Sequence, residues 1–341
     1  MEKLVTGVAY HGNRILRHVA DDMADIARHN MNLVVHTFTH TDWERHLGVM
    51  KSIVDLSREN GLDVWIDNWG IGGPPGDVSH FLGEHPEARQ VYSDGTPDPV
   101  SVCYNSEAFF EFTKRWLEAV RDFGGDKIFW DEPHLKLKKN DDGGERFTCC
   151  CPVCRRLFEE RFNMPMPNTL TPEVKAFRAW SMENYFNRVC SYSKLLGMEN
   201  IVCVMLHTLE DTSGIMDIEC VDNFGIDPYW FPGSGRDPYD FVYEASRSML
   251  EKTRSRGKQS HVWIQCYKIP AGYEDEIVTA TDAAFDAGVR TIVDWSFRGA
   301  ESNTYKSENC ERVWQVMGEA AARVRNRWFD EIRNKKQEKY K

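Results

Sequence analysis

Lys127-Ile128-Phe129-Trp130-Asp131-Glu132-Pro133-His134 is the stretch on which the fold turns. The run from Lys127 to Trp130 reads as a short strand buried on both faces, because a half-exposed strand would alternate apolar and polar residues. It stops at two carboxylates and a proline, whose fixed φ and missing N–H end a central strand. The same pattern recurs along the chain. Short apolar runs at 4–10, 33–38 and 62–67 precede this one, and runs at 201–206, 223–227, 261–266 and 291–295 follow it. Helical patterns separate them, at 18–29, 48–60, 106–123, 152–162, 172–196, 239–256, 274–287 and about 309–333. Eight strand–helix units predict an α/β chain folded as a (β/α)8 TIM barrel. The expectation is one domain over 1–341, with a Cys-rich loop inserted after the fourth strand and a basic tail at 334–341. No Gly-rich phosphate loop follows the first strand, where a dinucleotide-binding fold needs one.

Composition narrows the partners. The chain has 341 residues, 41% hydrophobic and 28% charged, with a net charge of −11. No basic stripe offers itself to nucleic acid. No run approaches the roughly 18 apolar residues of a membrane span. The N-terminus enters a strand pattern without the apolar core of a signal peptide, so the cytoplasm is expected. In that compartment ten cysteines read as thiols or metal ligands rather than as a disulfide framework. Charge does not decide the oligomeric state.

Barrel chemistry is built at the C-terminal ends of strands. Those ends offer His11, His36, His40, Asp67, Asn68, Trp69, Asp131, Glu132, His134, His207, Asp227, Tyr229, Trp230, Gln265, Asp294 and Trp295. Trp43, Trp69, Trp130, Trp230 and Trp295 all follow or end strands, and such flat apolar faces suit sugar rings. Glycoside hydrolysis uses two carboxyl groups, one of which carries a proton near neutral pH. Glu132, between Phe129-Trp130 and Pro133, has the apolar surroundings that retain a proton, and it is the candidate general acid. The competing reading pairs Asp131 or Glu132 with Arg14 or Lys268 as a purely structural contact. Asp227 and Asp294 are candidates for the second carboxylate. Asp67 is nearer in strand order, and Asp131 should point away from Glu132 if the strand continues. Expected substrate-binding residues are His11, His36, Asp67, Asn68, Trp69, His207, Tyr229, Trp230, Gln265 and Trp295.

Cys149-x-Cys151-x-x-Cys154 places three thiols within reach of one tetrahedral ion, and Cys103 is the candidate fourth. Four thiolates closed to water describe a structural zinc site rather than a catalytic one. The alternative is a chance group of free thiols.

Cys103-Tyr104-Asn105-Ser106, the strand-end Glu132, and Cys149-x-Cys151-x-x-Cys154 followed by Phe158 together resemble the barrel domain of glycoside hydrolase family 42 β-galactosidases. The resemblance implies Glu132 as acid/base and a zinc held by the cysteines. Two positions depart from it. Asp131 stands where the family has Asn, and Gln265 ends the seventh strand, where the family has its nucleophilic glutamate. A carboxamide is not ionised and is a poor nucleophile. Two further readings therefore stand beside a glycosidase acting on carbohydrate. One is a sugar-binding barrel without hydrolytic activity. The other is a metal-dependent lyase or isomerase using His11, His36, His40 or His207 with a carboxylate.

Overall fold

The computed structural model describes residues 3–11, 13–72, 79–139 and 144–338. Part of the Gly/Pro-rich loop, the tip of the insertion and the end of the basic tail lie outside them.

Eight parallel strands form a closed barrel: β1 (Val5–Tyr10), β2 (Leu33–Thr37), β3 (Asp63–Asp67), β4 (Lys127–Trp130), β5 (Glu199–Val204), β6 (Asn223–Ile226), β7 (Gln259–Gln265) and β8 (Thr291–Trp295). Around the sheet the order is sequential, with β1 beside both β2 and β8. This is the (β/α)8 architecture that the repeating runs predict. By their internal contacts the residues group into two units, Met1–Thr37 with Val49–Trp65 and Asn223–Lys341, and Phe38–Gly48 with Ile66–Asp222.

In the second unit, β4 pairs with β3 (Ile66 opposite Ile128, Asp67 opposite Phe129) and with β5 (Phe129 opposite Ile201, Trp130 opposite Val202). Trp130 is buried and its indole N–H donates to Asn200 Oδ1 at 3.0 Å. Helix Glu107–Asp122 begins at Ser106, whose hydroxyl accepts the Phe109 N–H as an N-cap. Its buried stripe of Phe109, Phe112, Thr113, Trp116, Leu117 and Val120 follows helical spacing. Trp116 donates its indole N–H to Phe38 O at 2.9 Å.

Two short antiparallel hairpins lie in stretches that read as loop. One pairs Arg89–Val91 with Pro97–Val102, the other Leu137–Lys139 with Glu145–Phe147. Three of these four strands have three residues, too few to leave an alternation in the sequence. The second hairpin is anchored by Arg178 of helix Pro172–Leu195. The buried guanidinium donates to the carbonyls of Leu135 (3.2 Å), Lys136 (3.3 Å) and Thr148, and meets Asp211 at 3.5 Å.

In the first unit, β1 pairs with β8 and β2, and β7 with β6 and β8. Gly225 on β6 is required by space. A Cβ there would lie 2.4 Å from His261 O and 2.5 Å from its ring. The C-terminal helix runs Cys310–Glu338, longer than the predicted 309–333. No helix among the described residues is long and apolar enough to cross a membrane.

Candidate active site

Three carboxyl groups gather where β3 and β4 end. Asp67 is the last residue of β3 and is fully buried. Its Oδ1 accepts the Trp69 N–H at 2.9 Å, and its Oδ2 has no hydrogen-bond partner among the described residues. Asn68 ties the two strand ends together. Its N–H donates to Phe129 O at 3.1 Å, and its Oδ1 accepts the Asp131 N–H at 2.9 Å. Burial, with the nearby charge of Glu132, pushes the Asp67 carboxyl up to about 8. Asp131, also buried, is raised well above the carboxylate range by burial and by the charges of Asp67 and Glu132. Like charges in a dry site cannot all ionise, so the cluster keeps protons at neutral pH.

The condition under which Asp131 is expected to point away from Glu132, a continuing strand, is not met. Strand β4 stops at Trp130, and Glu132 sits at φ 34°, in the left-handed region, so strand alternation no longer applies. Glu132 is partly exposed, whereas Asp67 and Asp131 are buried. Of the structural partners expected for this dipeptide, Lys268 sets its ammonium 4.4 Å from the centre of the Tyr305 ring. Arg14 donates to Thr37 O at 2.6 Å.

His134 completes this end of the unit. Its Nδ1 lies 2.8 Å from Glu132 O and its Nε2 3.3 Å from Lys136 Nζ. Burial, then the Lys136 charge, lowers it to about 4, so it is neutral at neutral pH. His207, exposed in the turn Leu206–Thr208, lies close enough to contribute to that shift. Asn68 and Trp69 are partly exposed beside the carboxyl groups.

The candidates of the first unit divide into two groups. His11 and Trp295 meet edge to face, with ring centroids 4.4 Å apart. They share a cleft of about 380 Å³ with Tyr10, Asp22, Phe297 and Glu301. Tyr229 is partly exposed and packs against Tyr267 at 5.3 Å. Asp227 and Asp294 end their strands and are buried, and burial raises Asp294 well above the carboxylate range.

Three expected ligand-facing side chains are turned inward instead. His36 is fully buried with Nε2 2.8 Å from Ser57 Oγ on helix His40–Glu59. Trp230 is buried and gives its indole N–H to Glu276 at 2.7 Å. Gln265 is buried, accepting the Phe231 N–H at 2.9 Å and donating to Tyr267 O at 3.1 Å. The named polar atoms of these three are paired within the protein, as buried polar atoms usually are.

The cysteines do come together. Cys103, Cys149, Cys151 and Cys154 are buried, and their sulfur atoms all lie within 4.8 Å of one another. Cys103 Sγ is 3.4 Å from Cys154 Sγ and 3.7 Å from Cys151 Sγ. Bonds of about 2.3 Å from sulfur to a tetrahedral zinc imply sulfur–sulfur edges of roughly 3.8 Å. The donor set and its spacing therefore fit a closed thiolate site. Cys151 also caps helix Pro152–Phe162, accepting the Cys154 N–H. Asn105 donates to Cys154 Sγ at 3.3 Å and to Ser181 Oγ at 2.9 Å. Cys150 stands outside the set, its thiol raised to about 12 by burial.

Neither the family models nor the curated proteins include a match to this sequence. Solved structures do resemble it in fold. A β-galactosidase from the psychrophilic Marinomonas ef1 superposes with a TM-score of 0.68 at 12% identity, over 94% of this chain and 59% of that one. The catalytic domain of a β-amylase from Paenibacillus polymyxa gives 0.64 at 8% identity, over 93% and 98%. A D-allulose 3-epimerase from Methylomonas sp. gives 0.51 at 12% identity, over 96% and 98%. At such identities the shared property is the barrel, which hosts hydrolases and an isomerase alike.

Proposed function

We propose that this chain is a glycoside hydrolase acting on an O-glycosidic bond, with Glu132 as general acid/base. The observation that carries the reading is the carboxyl cluster of Asp67, Asp131 and Glu132 at the ends of β3 and β4. Glu132 is its partly exposed member and the one proposed to meet the sugar. Asp67 and Asp131 lie behind it and hold protons that would otherwise leave three charges together. Trp69, Asn68 and His207 are proposed as substrate contacts beside these carboxyl groups, and His11, Trp295 and Tyr229 are further candidates. The solved barrels of similar fold are mostly named as glycosidases, which agrees with the reading.

Asp227 and Asp294 stand as the candidates for the second carboxylate, and burial raises Asp294 well above the carboxylate range. The family 42 resemblance supports Glu132 and the cysteines. It does not extend to a strand-seven nucleophile, since both ends of the Gln265 carboxamide are engaged by backbone. The four cysteines are proposed to hold a structural zinc that pins the start of helix Pro152–Phe162 to Cys103.

The test is hydrolysis of a panel of aryl glycosides, with the anomer of the first product followed by NMR. Cleavage of any member supports the reading. Inversion would mean that a carboxylate activates water, and retention that a carboxylate forms a covalent intermediate. A panel that binds without cleavage would favour the alternative, a sugar-binding barrel, which the engaged Gln265 makes the second reading. Of the histidines expected for a lyase or isomerase metal set, His11, His36, His40 or His207 with a carboxylate, His40 lies in a gathered group among the described residues, with Glu44 and His80.

A further inference from the structure

A second set of metal-ligand side chains stands apart from the cysteines. His40 opens helix His40–Glu59, and Glu44, four residues on, shares its face. His80 immediately precedes the short helix Phe81–Glu84. A ring nitrogen of each histidine and a carboxylate oxygen of Glu44 lie within 4.8 Å of one another. The two imidazoles stack with centroids 3.9 Å apart, and His80 Nε2 is 2.8 Å from Glu44 Oε1.

The surroundings fix one ligand and leave the others adjustable. His40 is buried, and its Nδ1 lies 2.7 Å from the buried hydroxyl of Ser79. That bond sets the ring orientation and leaves Nε2 as the ligand atom, as outer partners of metal-binding histidines do. Phe112 meets the His40 ring edge at 4.8 Å, and Trp43 backs Phe112 at 5.4 Å. Glu44 and His80 are each 46% exposed. Small movements of these two side chains reach the roughly 3.3 Å edges of a site with bonds of about 2.0–2.1 Å. His40 and Glu44 line a cleft of about 260 Å³ that also contains Glu84, His85 and Arg115.

We infer that His40, Glu44 and His80 form a binding site for a borderline divalent transition ion, with zinc as the reference ion. Two imidazoles and one carboxylate are a donor set that zinc takes in open sites, with the fourth position left to water or an anion. Calcium and magnesium prefer all-oxygen sets, which two imidazoles do not supply. An exposed His–Glu pair alone contributes little to stability. It does not account for a stacked second imidazole fixed from behind by a buried hydroxyl. A bound ion would tie the segment from Ser79 to His85 to helix His40–Glu59. The inference depends on neither the glycosidase reading nor the cysteine site.

Zinc content is measured on the full chain after equilibration with ZnCl2 and gel filtration, for wild type, His80→Ala, Glu44→Gln and Cys149→Ser. His80 and Glu44 are half-exposed, so their variants should fold, and circular dichroism checks this. The wild type should carry one more equivalent than His80→Ala, and Glu44→Gln should bind that equivalent at least tenfold more weakly. Cys149→Ser should keep it. Cobalt added to zinc-loaded wild type should occupy the weaker site without a sulfur-to-cobalt charge-transfer band. Equal zinc content in wild type and His80→Ala would overturn the inference, and so would a thiolate band from the cobalt that enters.

Discussion

At Asp67 a carboxyl with no solvent exposure has one oxygen bonded to a backbone N–H and the other unpartnered. Its raised value, about 8 against an ordinary 3.8, fixes the sign of a stability effect. Between those values the folded chain binds a proton that the unfolded chain does not. Stability therefore falls as pH rises through that window. Even half of this displacement, at about 1.4 kcal/mol per pH unit, amounts to about 3 kcal/mol. Asp67→Asn keeps the acceptor for the Trp69 N–H and removes the titration. Urea unfolding at pH 5 and pH 8 should show the wild type losing stability between the two, and the variant losing at least 1 kcal/mol less, of that order from the same conversion. Equal losses would place the proton elsewhere.

At the same scale, Glu132 takes a left-handed backbone that costs a non-glycine residue about 1–2 kcal/mol. A residue that bears strain at a strand end in a barrel is a candidate for function. The sequence made Glu132, Asp131 and Asp67 visible because each ends an apolar run. It could not show that Asn68 would lock the two strand ends together, since that bond depends on the register of Asp67 opposite Phe129. Nor could it separate His36, Trp230 and Gln265 from the rim. Each stands in or just after a strand, and only packing shows which way a side chain turns.

At the scale of elements, the insertion after β4 is held by one charged side chain. Arg178 donates to three carbonyls across the hairpin Leu137–Lys139/Glu145–Phe147 while almost fully buried. Arg178→Ala takes the guanidinium from the Leu135 and Thr148 carbonyls, while Lys136 O keeps the Thr148 N–H, and a buried polar group left unpaired costs about 1–3 kcal/mol. The midpoint of denaturation should fall accordingly, and limited proteolysis should cut first between residues 135 and 148. An unchanged midpoint would mean that the hairpin is held by other contacts. Nothing in the sequence marks Arg178, which is one basic residue on a long helix. The cysteines were legible for the opposite reason, since four thiols at close spacing have few other uses.

For the whole molecule, the eight-strand order was legible because the alternation of short apolar runs and helical patterns survives along the entire chain. Strand ends shifted by only a few residues, as β5 did, from the predicted 201–206 to Glu199–Val204. We propose that the two contact units fold as one domain. The closed sheet draws strands from both, so either unit alone would expose unpaired strand edges. Denaturation followed by tryptophan fluorescence and by far-UV circular dichroism should give one coincident transition. Two separated transitions would show that the units fold independently.

The central claim is that Glu132 gives a proton to a departing sugar oxygen. The most direct measurement compares wild type and Glu132→Gln on aryl glycosides with leaving groups of increasing pKa. General acid catalysis contributes about 10²- to 10⁴-fold. The account predicts a loss in kcat/KM of that order for poor leaving groups and little loss for the best ones, which depart without a proton. A loss of the same size across the series, or none, would contradict it.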